Sequence, residues 1–432
     1  MAHQQTHTQG SSVSPLAMPP LAREQTSSSW WSDRIPGLRG VRMDLQEAAK
    51  PYMKLMYRWN ASRLMDANYN KPISRETADI YSTYLLSEDV ATGTKVEVLN
   101  SLAKKVKEED NACDVVDSGV LPCVPELLDS GDAAVRVQTC VLLGKLAYEA
   151  TLLNILGLNL CPRLVSLDDS EHIVVVRAAA YALSRVSRWP NGAQAVIDAK
   201  VLDYIATLLG PPEAQICEDA CVDEEVVEGA AYALSRVSRW PNGAQAVIDA
   251  KVLDYIATLL GPPEAQICED ACVDENIGVV EGAVHALSQV SKWPGGAQAA
   301  VDAKVLDYIA ELFQSQSALI FQWMCQLVGH LVSSESAAPA ALATTPWTWL
   351  ILCLHSESDL VRTNAAFALA QTSRHQDGVA ALADTGILDD LDTLNQSLEP
   401  EFQVHASTVR KNLARHKEAR GGPKESSAIA SS

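Results

Sequence analysis

The chain has 432 residues, of which 47% are hydrophobic, and a formal net charge of −20. A chain of this length exceeds the size at which one compact core usually stops growing, so we expect several packed units. No apolar run reaches the roughly 20 residues that span a bilayer, and the acidic balance argues against a general nucleic-acid binder, which needs a basic surface.

The two ends of the chain differ in composition from its middle. Residues 1–40 are rich in Gln, Ser, Thr and Pro and have few apolar anchors, so we predict a disordered tail. Trp30 and Trp31 interrupt this tail, either as a loose contact with the folded part or as a short motif for a partner. Residues 41–72 have a helical pattern and are predicted to cap the fold, and residues 419–432 are predicted to be a second disordered tail.

Between these segments the chain repeats itself. The residues from Ala179 to Glu224 return unchanged from Ala230 to Glu275, 51 residues later, and a diverged third copy begins at Ala283. Self-similarity at a fixed period of a few tens of residues is typical of a solenoid, in which each unit buries its apolar face against its neighbours.

Each repeat divides into three helical pieces. In the duplicated copies these pieces read AQAVIDA, KVLDYIATLL and VVEGAAYALSRVSRW. The sequence WPNG is predicted to end the third helix, because Pro cannot continue it and Asn-Gly readily adopts left-handed backbone. We count seven such units over residues 73–418, with acidic insertions between the second and third helices at 210–225 and 261–276.

This pattern resembles the armadillo repeat. The resemblance lies in VVDSGVLPCVPELL and AQAVIDAKVLDYIATLL, each followed by a helix like EGAAYALSRVS. It implies an all-α fold, a right-handed armadillo-type α-solenoid of about seven three-helix repeats whose third helices line a concave groove. Armadillo proteins hold extended peptides or partner domains in that groove. Lys200, Lys251 and Lys304 depart from the family, which usually has Gly there, so the bend between the first two helices must be made differently or at a backbone cost.

The third helices also differ from those of the nuclear-import adaptors in the same family. Those adaptors place a Trp, and an Asn four residues later, in the groove to hold a peptide. Here the Trp position is held by Val141, Tyr181, Tyr232, His285, Gln326 and Phe367, and the Asn position by Lys145, Arg185, Arg236, Gln289, His330 and Gln371. No unit keeps both residues, so a divergent import adaptor is the weaker alternative.

The remaining side chains predict a basic row on the third helices. Residues four apart share a helix face, which pairs Tyr181 with Arg185 and Tyr232 with Arg236. The predicted partner-binding residues are Lys145, Tyr181, Arg185, Arg188, Tyr232, Arg236, Arg239, His285, Gln289, His330, Phe367 and Gln371. Arginine grips carboxylate and phosphate in a bidentate way, so the row suits an acidic or phosphorylated segment. Two alternatives stay open: the charges are only solvated, or the protein's own acidic insertions neutralise them.

The insertions carry cysteines at a repeated spacing. Cys217 and Cys221 in the first copy, like Cys268 and Cys272 in the second, lie four residues apart among acidic residues, with no histidine nearby. We predict acidic loops with packed cysteines and no metal or cofactor. The ten cysteines spread along the chain fit a reducing compartment, the cytoplasm or nucleus, better than a disulfide framework.

No catalytic motif stands out. The sequence has no Gly-rich phosphate loop, no His-Glu-x-x-His and no Gly-x-Ser-x-Gly. We therefore predict a non-catalytic scaffold or adaptor that binds another protein or an extended peptide, with no nucleic acid and no membrane span; an active site built between units is the enzymatic alternative. The sequence does not indicate an oligomeric state. Trp189, Trp240 and Trp293, at the ends of third helices, are predicted to pack against the next unit's first helix.

Overall fold

The computed structural model describes residues 75–169, 172–209, 224–260, 277–313, 315, 317–383, 385–393 and 399–421. All of these residues belong to one compact unit. The predicted tail at 1–40 and the predicted caps at 41–72 lie outside the described residues, as do most of the two insertions and the chain after residue 421.

Every regular element of the described residues is helical. The helices before the duplicated segment's first junction are α1 (Arg75–Leu86), α2 (Thr92–Lys105), α3 (Glu109–Asp117), α4 (Val124–Leu128), α5 (Ala133–Leu146), α6 (Glu149–Leu156), α7 (Leu160–Val165) and α8 (Ile173–Val186). Those that follow are α9 (Pro190–Asp198), α10 (Val201–Leu209), α11 (Glu224–Val237), α12 (Pro241–Asp249), α13 (Leu253–Thr258), α14 (Ile277–Ser291), α15 (Gly296–Asp302), α16 (Ile309–Leu312), α17 (Ala318–Ser333), α18 (Ala338–Thr344), α19 (Trp347–Cys353), α20 (Asp359–Thr372), α21 (Gln376–Ala383), α22 (Ile387–Thr393) and α23 (Pro400–Gly421).

These helices form seven three-helix units, α3–α5 through α21–α23, preceded by the pair α1 and α2. The third helices are α2, α5, α8, α11, α14, α17, α20 and α23, and each packs against the third helix of the next unit. One hydrophobic core extends through all the units, from Tyr81 to Leu413. The prediction of an all-α solenoid is therefore confirmed. The last helix continues to Gly421, so the first residues of the tail predicted at 419–432 are helical.

The junction between units differs from the prediction made for WPNG. The third helix α8 already ends at Val186, and Pro190 starts α9 instead of terminating α8. The Asn and Gly after Pro190 lie in the first turn of α9. Gly192 is required for another reason: a Cβ there would overlap the carbonyl oxygen of Val186, at the end of α8. Gly243 and Gly296 face Val237 and Val290 in the same way. Close approach of two helices, not left-handed backbone, explains this repeated glycine.

The bend between the first and second helices is made in left-handed backbone in every copy. Lys200, Lys251 and Lys304 have φ values of 55°, 53° and 60°, beside 80° for Gly119 and 75° for Gly386 in other units. The bend is therefore made as glycine makes it, and the three lysines carry the steric cost of about 1–2 kcal/mol that a Cβ meets in this conformation.

Lysine-to-glycine substitutions at these bends are expected to stabilise the protein. Replacing Lys200, Lys251 or Lys304 by Gly relieves the left-handed strain, and after the added chain entropy of glycine the net gain is about 1 kcal/mol per site. Urea unfolding followed by circular dichroism measures it. Alanine at the same positions keeps the strain and should give no gain, whereas Gly119→Ala should destabilise. An equal response to Gly and Ala would contradict this account.

Removal of one period is expected to leave a folded, shorter array. Residues 193–243 span 51 residues, and their deletion rejoins two identical WPNG junctions. Because the stability of such arrays is approximately a sum of unit and neighbour terms, the helical signal per residue and a cooperative unfolding transition should both persist. A deletion of about half that period, which breaks the three-helix register, is the control and should abolish cooperative unfolding. Loss of helicity in the full-period deletion would contradict the register.

Candidate functional site

The third helices present three parallel rows of side chains on one face, which we call the third-helix face. The central row is Val141, Tyr181, Tyr232, His285, Gln326 and Phe367, all partly exposed. Four residues further along each helix lies the inner row, which is Lys145, Arg185, Arg236, Gln289, His330 and Gln371. Three residues beyond it lies the edge row, which from α8 onward is Arg188, Arg239, Lys292, Ser333, Arg374 and Arg415.

Aromatic side chains of the central row cover the preceding third helix. The ring of Tyr181 lies where a Cβ on Gly144 would be, and the ring of Phe367 lies in the same way over Gly329. Glycine on the earlier helix is thus what lets the aromatic ring of the later helix approach. These two predicted binding residues therefore also hold neighbouring units together.

The inner-row arginines are hydrogen-bonded to the backbone of the preceding unit. Arg185 Nε donates to the carbonyl oxygen of Gly144 at 3.3 Å. Arg236 Nη1 donates to the carbonyl oxygen of Ser184 at 2.9 Å and to its hydroxyl at 3.2 Å. Burial, and then the charges of Arg185 and Arg188, lower the pKa of Arg236, although a guanidinium remains protonated in proteins. Both side chains are half-buried, whereas Lys145 in the same row is exposed.

His285 and His330 on the third-helix face are partly buried, and each has one buried ring nitrogen without a hydrogen-bond partner among the described residues. His285 stacks on Trp323 with ring centroids 3.8 Å apart, and its Nδ1 is buried with no partner. Burial and the positive charges of Arg236 and Arg239 lower the pKa of His285 to about 4. His330 lies edge-on to Phe367 at 5.3 Å. Its pKa is lowered to about 4 as well, by burial and by Lys292.

Trp323 is a residue that the sequence analysis missed. It lies three residues before Gln326, at the position that Ala178, Gly229 and Gly282 hold in the earlier units. A residue three before the central row shares its helix face, so this spacing was the available signal. What the sequence did not show is that the indole stacks on a histidine of the preceding unit.

Tyr232 and Glu281 form a hydrogen-bonded link between α11 and α14. The Tyr232 hydroxyl donates to Glu281 Oε2 at 3.4 Å, and the Ser317 hydroxyl donates to Glu281 Oε1 at 2.6 Å. Burial and the nearby carboxylates of Glu281 and Glu228 raise the pKa of Tyr232 to about 12. Tyr232 is therefore a neutral hydrogen-bond donor to an acidic side chain, not part of a basic row.

Apart from Lys145, the exposed positive charge of the third-helix face lies in the edge row. Five of its six members are cationic, and all five are exposed. Arg188 lies over the ring of Trp189 at 5.5 Å, Arg239 over Trp240 at 5.9 Å, and Lys292 over Trp293 at 5.1 Å. None of the five forms an ion pair with another described residue. The sequence analysis named Arg188 and Arg239 but missed the continuation at Lys292, Arg374 and Arg415.

The tryptophans below the edge row bind the preceding unit. Trp189 Nε1 donates to the carbonyl oxygen of Ala147 at 3.2 Å, and Trp293 Nε1 donates to that of Ser238 at 2.9 Å. These acceptors lie at the ends of the preceding third helices, whose last carbonyls lack partners within the helix. The sequence analysis had predicted packing against the first helix of the next unit, not a hydrogen bond to the preceding unit. Trp189 and Trp293 thus connect two units, whereas Trp240 Nε1 is buried without a hydrogen-bond partner among the described residues. All three rings lie under an edge-row cation.

Metal and thiol chemistry find little support in the described part of the chain. No group of three metal-ligating side chains occurs there, and the Cys-x3-Cys pairs lie outside it. Burial raises the pKa of Cys140 to about 12 and that of Cys161 to about 11, which suits packed rather than nucleophilic thiols. No described helix combines the length and the apolar character needed to cross a membrane.

Acidification is expected to destabilise the fold through His285 and His330. In the unfolded chain each takes up a proton near pH 6.5, but in the folded protein only near pH 4. The unfolded state therefore binds more protons between these values, and folding free energy is lost as pH falls from about 6.5 to 4, by up to about 3 kcal/mol per histidine. Urea unfolding at a series of pH values measures the loss.

A double variant isolates the contribution of His285 and His330 to the pH dependence of stability. Replacing His285 and His330 by Phe keeps an aromatic ring against Trp323 and Phe367 but removes the titration, so the loss of stability on acidification should be smaller. The same pH dependence in the double variant and the wild type would contradict the assignment.

Comparison with known proteins gave matches among solved structures alone. No family model matches the chain, and no curated protein matches it. An engineered protein solved by the Northeast Structural Genomics Consortium is 22% identical over 78% of this chain and 79% of its own, with a TM-score of 0.65. A second engineered protein from that consortium is 21% identical over 59% of this chain and 98% of its own, with a TM-score of 0.51.

A designed armadillo repeat protein in complex with the peptide (KR)4 is 20% identical over 59% of this chain and 99% of its own, with a TM-score of 0.49. Likeness at such identities concerns the fold alone. The chain's own three-helix units, the left-handed bends between first and second helices and the close-packed third helices give it an armadillo-like repeat fold.

Proposed function

We propose that the protein is a non-catalytic scaffold or adaptor that binds an acidic or phosphorylated segment of another protein along the edge row of the third-helix face. The observation that carries the proposal is the row of exposed cations that form no ion pair with any other described residue, in a chain whose net charge is −20. The sequence analysis placed the basic row at Arg185 and Arg236. The hydrogen bonds of those two side chains move the proposed contact outward to the edge row.

The geometry of the edge row suits an extended acidic segment. Packed helices lie about 8–10 Å apart, and an extended chain advances about 3.3 Å per residue, so one unit corresponds to about three ligand residues. Each exposed ion pair contributes little by itself, but several on one segment act together. Stacking of Arg188, Arg239 and Lys292 on tryptophan rings limits their motion before binding, which lowers the entropy cost of holding carboxylates or phosphates.

The import-adaptor alternative gains no support from the third-helix face. Asparagine does occur at the inner-row register of the last unit, at Asn412, but its Nδ2 donates to the Ser373 hydroxyl at 3.0 Å. Trp323 lies off the central register and stacks on His285. A peptide rich in lysine would also meet the positive edge row, which disfavours it.

Reversal of three edge-row charges is expected to weaken the binding of an acidic peptide strongly. Glu at Arg188, Arg239 and Lys292 turns attraction into repulsion, and an acidic peptide labelled with a fluorophore should lose at least about tenfold in affinity by anisotropy at low salt. The control is Glu at Lys200, Lys251 and Lys304, which are exposed lysines at the far end of the first helices. It changes the net charge equally and should leave affinity close to that of the wild type.

The two triple variants distinguish binding at the edge row from a general effect of net charge. Equal loss in both triple variants would show that net charge alone matters, and no loss in either would remove the edge row from consideration. Thermal unfolding of both variants checks that each is folded. A phosphorylated peptide and an all-Glu peptide of the same sequence, compared on the wild type, then distinguish phosphate from carboxylate recognition.

A further inference from the structure

The edge of the third-helix face opposite the cations changes character along the array. In α11 and α14 this edge carries Glu228 and Glu281. The beginnings of the last three third helices carry exposed apolar side chains beside acidic ones such as Asp359 and Glu401: Leu319 on α17 is 45% exposed, Leu360 on α20 is 59% exposed, and Val404 on α23 is 61% exposed. Leu319 and Leu360 lie seven residues before the central row, a spacing that brings them back to the same helix face.

These side chains lie on three neighbouring helices. The third helices α17, α20 and α23 pack against one another in order. Phe367 in the central row and Trp323 just before it are partly exposed on the same helices. We call Leu319, Leu360, Val404, Trp323 and Phe367 the apolar patch. Contiguous exposed apolar surface of this kind commonly marks a binding site.

The apolar patch and the edge row meet on the same helices. Phe367 on α20 is followed two turns later by Arg374, and Val404 on α23 is followed three turns later by Arg415. A ligand lying across the last units therefore meets apolar side chains at one edge and cations at the other. In the units before them, the acidic edge of Glu228 and Glu281 disfavours such apolar contacts and repels acidic residues from that side.

From this arrangement we infer that the bound segment has two parts, an acidic part along the edge row and a Leu- or Phe-containing part that docks on the apolar patch of α17, α20 and α23. The inference rests on the proposed function, because the edge row is what brings the segment to this face. Apolar burial adds affinity that surface ion pairs alone do not provide. It also makes binding less sensitive to salt than binding of a purely acidic segment.

The test compares two kinds of synthetic peptide on the full chain by fluorescence anisotropy. One is the acidic peptide; the other joins the same acidic block to a Leu/Phe block through a flexible linker, made in both orders. We expect at least one order to bind the wild type about tenfold more tightly than the acidic peptide. Leu319→Ser with Leu360→Ser should remove this gain and leave the affinity for the acidic peptide unchanged.

A matched pair of exposed leucines serves as the control. Leu153 on α6 is 68% exposed and Leu352 on α19 is 59% exposed, and neither belongs to a third helix. Replacing both by Ser removes as much apolar side chain and should leave the gain intact. Thermal unfolding of both double variants confirms that they are folded.

Each result decides between the two proposals. If both two-part peptides bind no more tightly than the acidic peptide, or if the gain survives in the Leu319/Leu360 variant, the apolar patch is overturned while the acidic site stands. If the control pair also loses the gain, the added block binds non-specifically and the patch is likewise overturned. If no peptide binds the wild type, the proposed function fails and this inference with it.

Discussion

Close packing between successive third helices is the constraint on which the rest of the structure depends. Two helices approach closely only where one of them presents a small side chain. Gly144 and Gly329 accept the aromatic rings of Tyr181 and Phe367, and Gly282 lies against Ala231. Because successive third helices pack against one another throughout the array, side chains that share a register form continuous rows. The third-helix face exists as a surface for that reason.

The same approach divides the cations into two classes. At the inner row the preceding helix is near enough for Arg185 and Arg236 to donate to its backbone carbonyls, so these guanidinium groups stabilise the array. Three residues further on, the helix has ended, and Arg188 and Arg239 extend over tryptophan rings with their charges exposed. Positive charge near a helix C-terminus is favourable. The edge row is therefore stable without a ligand and still open to one.

The two edges of the third-helix face differ in charge. The chain is strongly acidic overall, but five exposed cations lie along the edge row of the third-helix face, where a local positive potential can attract acidic segments despite the net charge. Neutral histidines and a protonated tyrosine lie between that edge and Glu281. In the C-terminal units exposed leucine and valine side chains lie near the beginnings of the third helices. A ligand therefore meets different chemistry at the two ends of the array.

The amino-acid sequence by itself determined the repeat, its three-helix unit and the side chains that share a face, because these follow from periodicity within one helix. Only the tertiary structure decided which of those side chains are free. Whether an arginine reaches a neighbour's carbonyl depends on the spacing and offset of two helices more than 40 residues apart in sequence, as for Arg185 and Gly144. The stacking of Trp323 on His285 depends on the same inter-unit packing. Spacing along one helix does not contain that information.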